Sequence, residues 1–566
     1  MKHIIFFLFA LLTGPFSWAQ NSLPIPAALT GSNFNLTLQH DSVVFYPGYQ
    51  TNTMGVNGAL LGPTLIFQQG DYVNINVTNQ LIDTTTMHWH GMHVPAGYDG
   101  GPHSKIYPNT TWSPSFTIMD RASTMWYHPH LMHKTNEHVQ MGIAGFIIIK
   151  DSLEAALMIP RTYGVDDIPL VFQTKSIDVN RQIDVNMNNS ALDTMLLTNG
   201  VIGATLNAPS QVMRFRLLNG ASERSFNIGL SNNANFQVIG SDGGLLAAPI
   251  SMSRLLISNG ERYEILVDLS SNQGDTIQIM NYGSTISGSV YGTASISGMG
   301  GATIPNYSSN PLNGANFPLL TMHVTSSTAN PVTSIPTALV PTNVLNVADA
   351  NHNRTMAMAP AVMGPQGSIN GPFRINNATF NMSVINEVVP LNNTEIWTLT
   401  NQSAIAHPFH IHDVQFNVIE VNGVAPPLHQ QGWKDVILVP AHQGSVKFIT
   451  KFEDFADPII PYMYHCHILT HEDGGMMGQF TVVDNSSGLD DIHYDNFSIY
   501  PNPAEDFVQI ALKGNGPEPI SITNALGQVV IQGSITAQTS RVNLSQLSPG
   551  MYIIRIGAVS EPLIVQ

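Results

Sequence analysis

The sequence predicts an all-β chain built of several β-sandwiches, and three observations carry that prediction. Short runs alternate apolar and polar residues, as in Tyr72-Val73-Asn74-Ile75-Asn76-Val77 and Gln415-Phe416-Asn417-Val418-Ile419-Glu420-Val421. That period of two marks strands with one buried face. Gly, Pro, Ser, Thr and Asn are abundant while helical periodicity is scarce, which fits many short strands joined by turns. The 566 residues suffice for about three or four domains. Charged residues make up only 10% of the chain, well under the roughly 25% usual in soluble proteins, and the formal net charge of −17 argues against a nucleic-acid partner.

Taken in order, residues 1–19 read as a signal peptide. Lys2 precedes an apolar run from Ile4 to Leu12, and Ser17-Trp18-Ala19 has the form of a cleavage site before Gln20. The run is too short for a permanent anchor, and no later stretch reaches the roughly 18 apolar residues of a membrane helix. The expected product is an exported protein without a membrane span. No twin arginine is present, so any metal is acquired outside the cytoplasm.

The segment 20–155 reads as a first sandwich. It carries Met87-His88-Trp89-His90-Gly91 and Trp126-Tyr127-His128-Pro129-His130, each with a His-x-His that puts two imidazoles on one strand face. No histidine lies between His138 and His323. The middle sandwich, 165–326, therefore reads as a spacer, and its Gly- and Ser-rich stretch from Gly283 to Ala302 as a mobile surface loop. The third sandwich, 340–484, holds His407-Pro408-Phe409-His410-Ile411-His412 and, near its end, Tyr464-His465-Cys466-His467-Ile468-Leu469-Thr470-His471-Glu472-Asp473-Gly474-Gly475-Met476.

Cys466 is the only cysteine of the chain, so it has no disulfide partner within it. Thiolate, imidazole and a distant thioether form the ligand set of a blue-copper site. His471 and Met476 follow Cys466 at five-residue steps. Pro408 sits badly in a central strand, so His407 can turn away from His410 and His412 and supply the second imidazole. On an extended strand His465 and His467 both point away from Cys466, towards a second metal site. The backbone then links two redox centres by a short covalent path.

These four segments resemble, in order and spacing, the four copper signatures of the multicopper oxidases. The resemblance runs from about residue 30 to 484 and includes Asp99-Gly100-Gly101-Pro102, Gly142-Ile143-Ala144-Gly145 and Gly432-Trp433-Lys434-Asp435. It implies three cupredoxin-like Greek-key domains and four copper ions. Type 1 copper takes His407, Cys466, His471 and axial Met476. Type 2 copper takes His88 and His410. Of the type 3 pair, one ion takes His90, His128 and His467, and the other His130, His412 and His465. The eight trinuclear ligands divide evenly between the first and third sandwiches, so copper would staple the two together. Asp99 and Glu472 match acidic positions beside the cluster, with proton relay as the implied role and a turn or loop carboxylate as the plain alternative.

The resemblance also implies the activity. Four one-electron oxidations of a donor are coupled to reduction of dioxygen to two waters. The residues before His407, Asn401 to Ala406, lack the Asp/Met pair of cuprous oxidases. Met356, Met358 and Met363 form only a thin Met cluster, read as loop or packing. The expected donor is therefore phenolic or a similar organic molecule, as in laccases and bilirubin oxidases. A Cu(I) oxidase for copper tolerance and a non-catalytic copper-binding protein are the alternatives. His93, His103, His133 and His138 are read as surface or supporting residues, and His429 and His442 carry no assignment.

The polar stretch 485–495 reads as a linker. Beyond it, Tyr500-Pro501-Asn502-Pro503 and Leu547-Ser548-Pro549-Gly550-Met551-Tyr552 resemble the C-terminal sorting domain of type IX secretion, a small β-sandwich over 496–566. This implies secretion machinery as a partner, passage through the periplasm and an extracellular or cell-surface destination. The expected state is a monomer.

Overall fold

The computed structural model describes residues 21–185, 192–298, 301–362, 369–484, 497–512, 518–524, 528–535, 539–556 and 559–566. The expected signal peptide 1–19, the expected linker 485–495 and Met363 lie outside these. The described chain is mostly β; its helices are short, the longest α-helix being Thr135–Met141. No described helix is long and apolar enough to cross a membrane.

The chain divides into two compact units, up to Val483 and from Asp484. In the first unit the sheets pair off along the sequence. One five-stranded sheet runs Ala28–Leu29, Thr64–Gln68, Gly145–Lys150, Ser123–His128, His88–His90, and shares a core with the sheet built on Asn33–Tyr46 and Tyr72–Asn79. The alternation that marked Tyr72–Asn79 is real: Val73, Ile75 and Val77 are fully buried and the residues between them are not. Each such side chain contributes about 1.5–3 kcal/mol of burial.

Two six-stranded sheets follow, centred on Asp167–Lys175 with Val212–Asn219 and on Thr276–Tyr282 with Asn316–Thr325, around a second core. Asn21–Ser22, at the start of the described chain, adds to the latter sheet by pairing with Ala204–Pro209. A third pair holds the strands His407–Ile411 and Asp457–Cys466 and packs around Trp397, Phe409, Phe448 and Phe480. The second unit is a small sandwich of three strands against four, closed around Val508, Ile510, Ile522, Ile554 and Leu563.

Two expectations about the middle of the chain need correction. Gly283 to Gly298 is not a loose loop: Ile286, Val290, Tyr291 and Ile296 are buried, and Tyr291, Ile296 and Tyr307 join the third sandwich's core. Small Gly and Ser residues let the backbone lie close, while the few apolar side chains anchor it. Nor is the middle sandwich a mere spacer, since it touches the candidate site directly, as described below.

Candidate functional site

Cys466 ends the strand Asp457–Cys466 and lies opposite Phe409, while His465 lies opposite His410. Residues 407, 409 and 411 therefore share the Cys466 face, and 408, 410 and 412 share the His465 face. Parity alone separates His407 from His410. Pro408 is not the cause: it stays within the strand, opposite Leu438. Its carbonyl accepts from the His467 N–H (2.7 Å) where the Asp457–Cys466 ladder ends, so its missing N–H breaks no ladder bond.

On that face the Cys466 Sγ lies 3.5 Å from His407 Nδ1 and 3.8 Å from His471 Nδ1. His471 comes from the short helix Leu469–Asp473. Met476 closes the loop, its N–H donating to the His471 carbonyl (2.9 Å) and its own carbonyl accepting from the Cys466 N–H (3.1 Å). All four residues are buried, and the Phe373 ring covers both imidazoles, at 4.6 Å and 4.5 Å between centroids. Burial pushes the thiol up and holds His407 down to about 3. The two imidazoles are thus neutral, and the thiol ionises only when a cation takes the place of its proton.

The other eight histidines converge between the first and third sandwiches, all buried. His130 Nε2 lies 3.1 Å from His465 Nε2, which lies 3.3 Å from His412 Nε2. His90 Nδ1 lies 3.4 Å from His128 Nε2 and 3.2 Å from His467 Nε2. Stacked ring pairs, His88 on His412 at 3.8 Å and His90 on His410 at 3.7 Å, join the two sandwiches. Burial, and then the neighbouring imidazoles, hold His128, His130, His410, His412 and His467 well below the ordinary imidazole range. Neutral rings are what metal ligation requires.

The hydrogen bonds test whether metal fits. His88 Nδ1 donates to the Asp99 carbonyl (2.8 Å), His410 Nδ1 to the Asp435 carbonyl (2.9 Å) and His128 Nδ1 to the Pro129 carbonyl (2.8 Å). The opposite nitrogens of His88 and His410 are buried without a hydrogen-bond partner. A buried polar atom left bare costs roughly 1–3 kcal/mol. One nitrogen fixed by the protein and the other bare is the arrangement of a metal-binding histidine. Four of the five groups of close, buried ligand atoms in the described residues lie in this region; the fifth is His407, Cys466 and His471.

Two carboxylates predicted from the sequence stand beside these rings. Asp99 Oδ2 accepts from His412 Nδ1 (2.8 Å), and its Oδ1 lies 3.4 Å from His88 Nδ1. It caps the turn Ala96–Tyr98, and Gly100 after it has φ +80°, where a Cβ would strike the Met87 carbonyl. Only glycine allows that close return. Glu472 lies 3.2 Å from His465 Nδ1 and 3.4 Å from His130 Nδ1. Burial and then Asp473 raise the Glu472 carboxyl well above its usual range, against the pull of the Thr135 hydroxyl.

Three further residues went unnoticed in the sequence. Asp435, seen there only as part of a motif, accepts from His90 Nε2 (3.1 Å). Arg262 of the middle sandwich grips that carboxylate. Tyr291 lies 6.0 Å from the His471 ring. In a chain with so few charges, the Lys434-Asp435 pair before the apolar Val436–Val439 strand was the available signal.

The six other histidines weighed in the sequence make structural contacts. His93 Nδ1 pairs with Asp413 (2.8 Å); burial alone would lower it, but Asp413 and Asp120 hold it up to about 10. His103 bonds Gln479, His133 the Asp473 carbonyl, His138 Thr85 and His442 Ser289, while His429 packs against Tyr263. Met356 and Met358 are buried in the third core.

Sequence models of the multicopper oxidases match residues 37–154, 182–296 and 337–486, and a model of the secretion system C-terminal sorting domain matches 498–565. The multicopper oxidase mco of Staphylococcus haemolyticus is 31% identical over 456 residues, which is 80% of this chain and 89% of that protein. The cell division protein FtsP of Sodalis glossinidius is 32% identical over 474 residues, 82% of this chain and 93% of that protein. Among solved structures, the laccase-like multi-copper oxidase CueO of Ochrobactrum sp. superposes with a TM-score of 0.71 at 32% identity, covering 81% of this chain and all of that one. Its published description gives oxidase activity towards lignin model compounds and lignosulfonate.

Proposed function

The chain belongs to the multicopper oxidase family, and from that premise we propose that it is an exported oxidase that couples four one-electron oxidations of a phenolic or similar organic donor to reduction of dioxygen to two waters. The observation that carries this reading is the convergence of eight buried imidazoles, seven of them in overlapping groups of close ligand atoms and His467 Nε2 at 3.2 Å from His90 Nδ1, joined through Cys466 to a separate sulfur-containing group.

In this reading His407, Cys466, His471 and Met476 hold type 1 copper, and His88 and His410 hold type 2. His90, His128 and His467 hold one type 3 ion, and His130, His412 and His465 the other. Bound copper supplies one-electron redox steps and a binding place for dioxygen. The chain's own residues do the rest. Cys466 with its neighbours His465 and His467 is the covalent connection between the two groups. Buried aromatic and apolar side chains exclude water around Cys466. Asp99 orients His412, and Glu472, whose carboxyl burial pushes up, stands beside His130 and His465 where it can pass a proton during turnover.

An organic donor is favoured over cuprous ion because Met356 and Met358 are packed in the core, so neither of these thioethers faces an incoming ion. The activity described for the Ochrobactrum relative points the same way. FtsP relatives raise a non-oxidase role, but here every ligand position is filled and the rings converge. We further propose domains at 20–155, 165–326 and 340–484, a cleaved leader at 1–19, a linker at 485–495 and a sorting domain over 496–566 that directs a monomer through type IX secretion. An oxygen electrode tests the proposal, with phenolic donors and cuprous ion run in parallel on copper-loaded protein. Rapid uptake with the phenols supports it; uptake with cuprous ion alone assigns a metal oxidase, and no uptake with either leaves only a binding protein.

A further inference from the structure

The proposed copper ligands all lie outside the middle sandwich, yet it reaches the candidate trinuclear site at several points. Arg262 is wholly buried and donates from its two terminal nitrogens to the two carboxylate oxygens of Asp435, at 2.6 Å and 2.5 Å. Its other donors go to the carbonyls of Thr124, Gly260 and Asp242, so every sandwich of the first unit is gripped by one guanidinium. Asp435 in turn accepts from His90 Nε2 through Oδ1 (3.1 Å) and from His410 Nδ1 through its carbonyl (2.9 Å). Two residues before Arg262, Gly260 has φ +79°, and a Cβ there would lie 2.9 Å from the His467 ring.

His90 is the odd ring of the eight. His128, His130, His412, His465 and His467 bring Nε2 to their neighbours, and His88 and His410 leave Nε2 bare. His90 alone presents Nδ1 and turns Nε2 outward to Asp435. Which nitrogen of an imidazole keeps its proton is set by the acceptor facing the other side.

We propose that Arg262 is a positioning residue for the oxygen-reducing site. Its planar fork holds the Asp435 carboxylate in one orientation. That carboxylate fixes the His90 proton on Nε2 and leaves the Nδ1 lone pair for metal, while the same backbone sets His410. The middle sandwich is thereby part of the site. This rests on the copper assignment above, and the test separates the two.

Copper content and electron paramagnetic resonance of copper-loaded protein are the readouts, taken beside the blue absorption and its anaerobic reduction by donor. Arg262→Lys keeps the charge without the fork, and Arg262→Gln removes both. Arg214→Gln is the stability control, because Arg214 is equally buried and bonded to Glu154 and Glu264 but touches none of the eight histidines. The expected result for both Arg262 variants is a normal blue centre, a roughly 10–100-fold loss of trinuclear copper affinity and type 3 copper that becomes paramagnetic. Arg214→Gln keeps the silent pair. Arg262 variants that lose thermal stability as Arg214→Gln does, yet keep full copper and a silent pair, overturn the proposal. If neither Arg262 variant folds, Asp435→Ala, which removes the acceptor facing His90 Nε2 but keeps the carbonyl that faces His410, is read the same way. A wild type without any silent pair overturns the copper assignment itself.

Discussion

Cys466 decides more than any other residue. It sits between two neutral imidazoles, on the opposite strand face from the histidines beside it, so one side chain defines a site and its backbone defines the exit. Cys466→Ser keeps the size but removes the soft thiolate, and we expect the blue colour and oxygen uptake both to vanish; a variant that remains blue contradicts the assignment. The two carboxylates call for a finer comparison. Asp99 bonds His412 directly, so Asp99→Asn is expected to retain most copper and a normal rate of type 1 reduction while turnover slows by about 10²–10⁴-fold. Glu472→Gln is expected to do the same, with the pH profile of turnover altered in both. Wild-type turnover across pH would reduce either residue to a structural role, and loss of copper would make it a support of the cluster.

At the scale of elements, strand alternation explains why the ligand motifs are legible in the sequence. His-x-His and His-Cys-His need only a strand to place their side chains, and the strands His88–His90, Ser123–His128, His407–Ile411 and Asp457–Cys466 supply it. The support around them is not legible in that way. Asp435 meets Arg262 across 173 residues and His90 across 345, and nothing local in either segment announces the partner. The buried stretch around Tyr291 misleads for a related reason: its Gly and Ser content describes the backbone, while its anchoring comes from a different sandwich. The same alternation yields a prediction. His465→Ala and His130→Ala lie on the far side from Cys466, so the blue colour and a single reduction of it by donor should survive while oxygen reduction stops. Normal oxygen consumption in both variants contradicts the trinuclear assignment.

For the whole molecule, the eight converging histidines are a charge problem before they are a catalyst. Burial holds seven of them, His90, His128, His130, His410, His412, His465 and His467, below the ordinary imidazole range, His465 down to about 3, whereas in the unfolded chain each titrates near 6.5. Below that value the unfolded state binds more protons than the folded one, so stability is present above about pH 6.5 and is lost as pH falls towards 3. The copper-free protein should thus lose thermal stability steadily on acidification, by up to about 1.4 kcal/mol per pH unit for each such histidine. Copper, by filling bare nitrogens between the first and third sandwiches, should raise the melting temperature and blunt that slope. Equal melting curves with and without copper across this range contradict the stapling role.

The central claim is that one chain holds a blue copper and a separate three-copper cluster, and it is tested most directly by counting copper and unpaired spins in the same sample. The account predicts four copper ions per chain, with about half of that copper silent in paramagnetic resonance because the type 3 pair is coupled, together with an intense blue absorption. A single copper per chain, or four that are all paramagnetic, contradicts it.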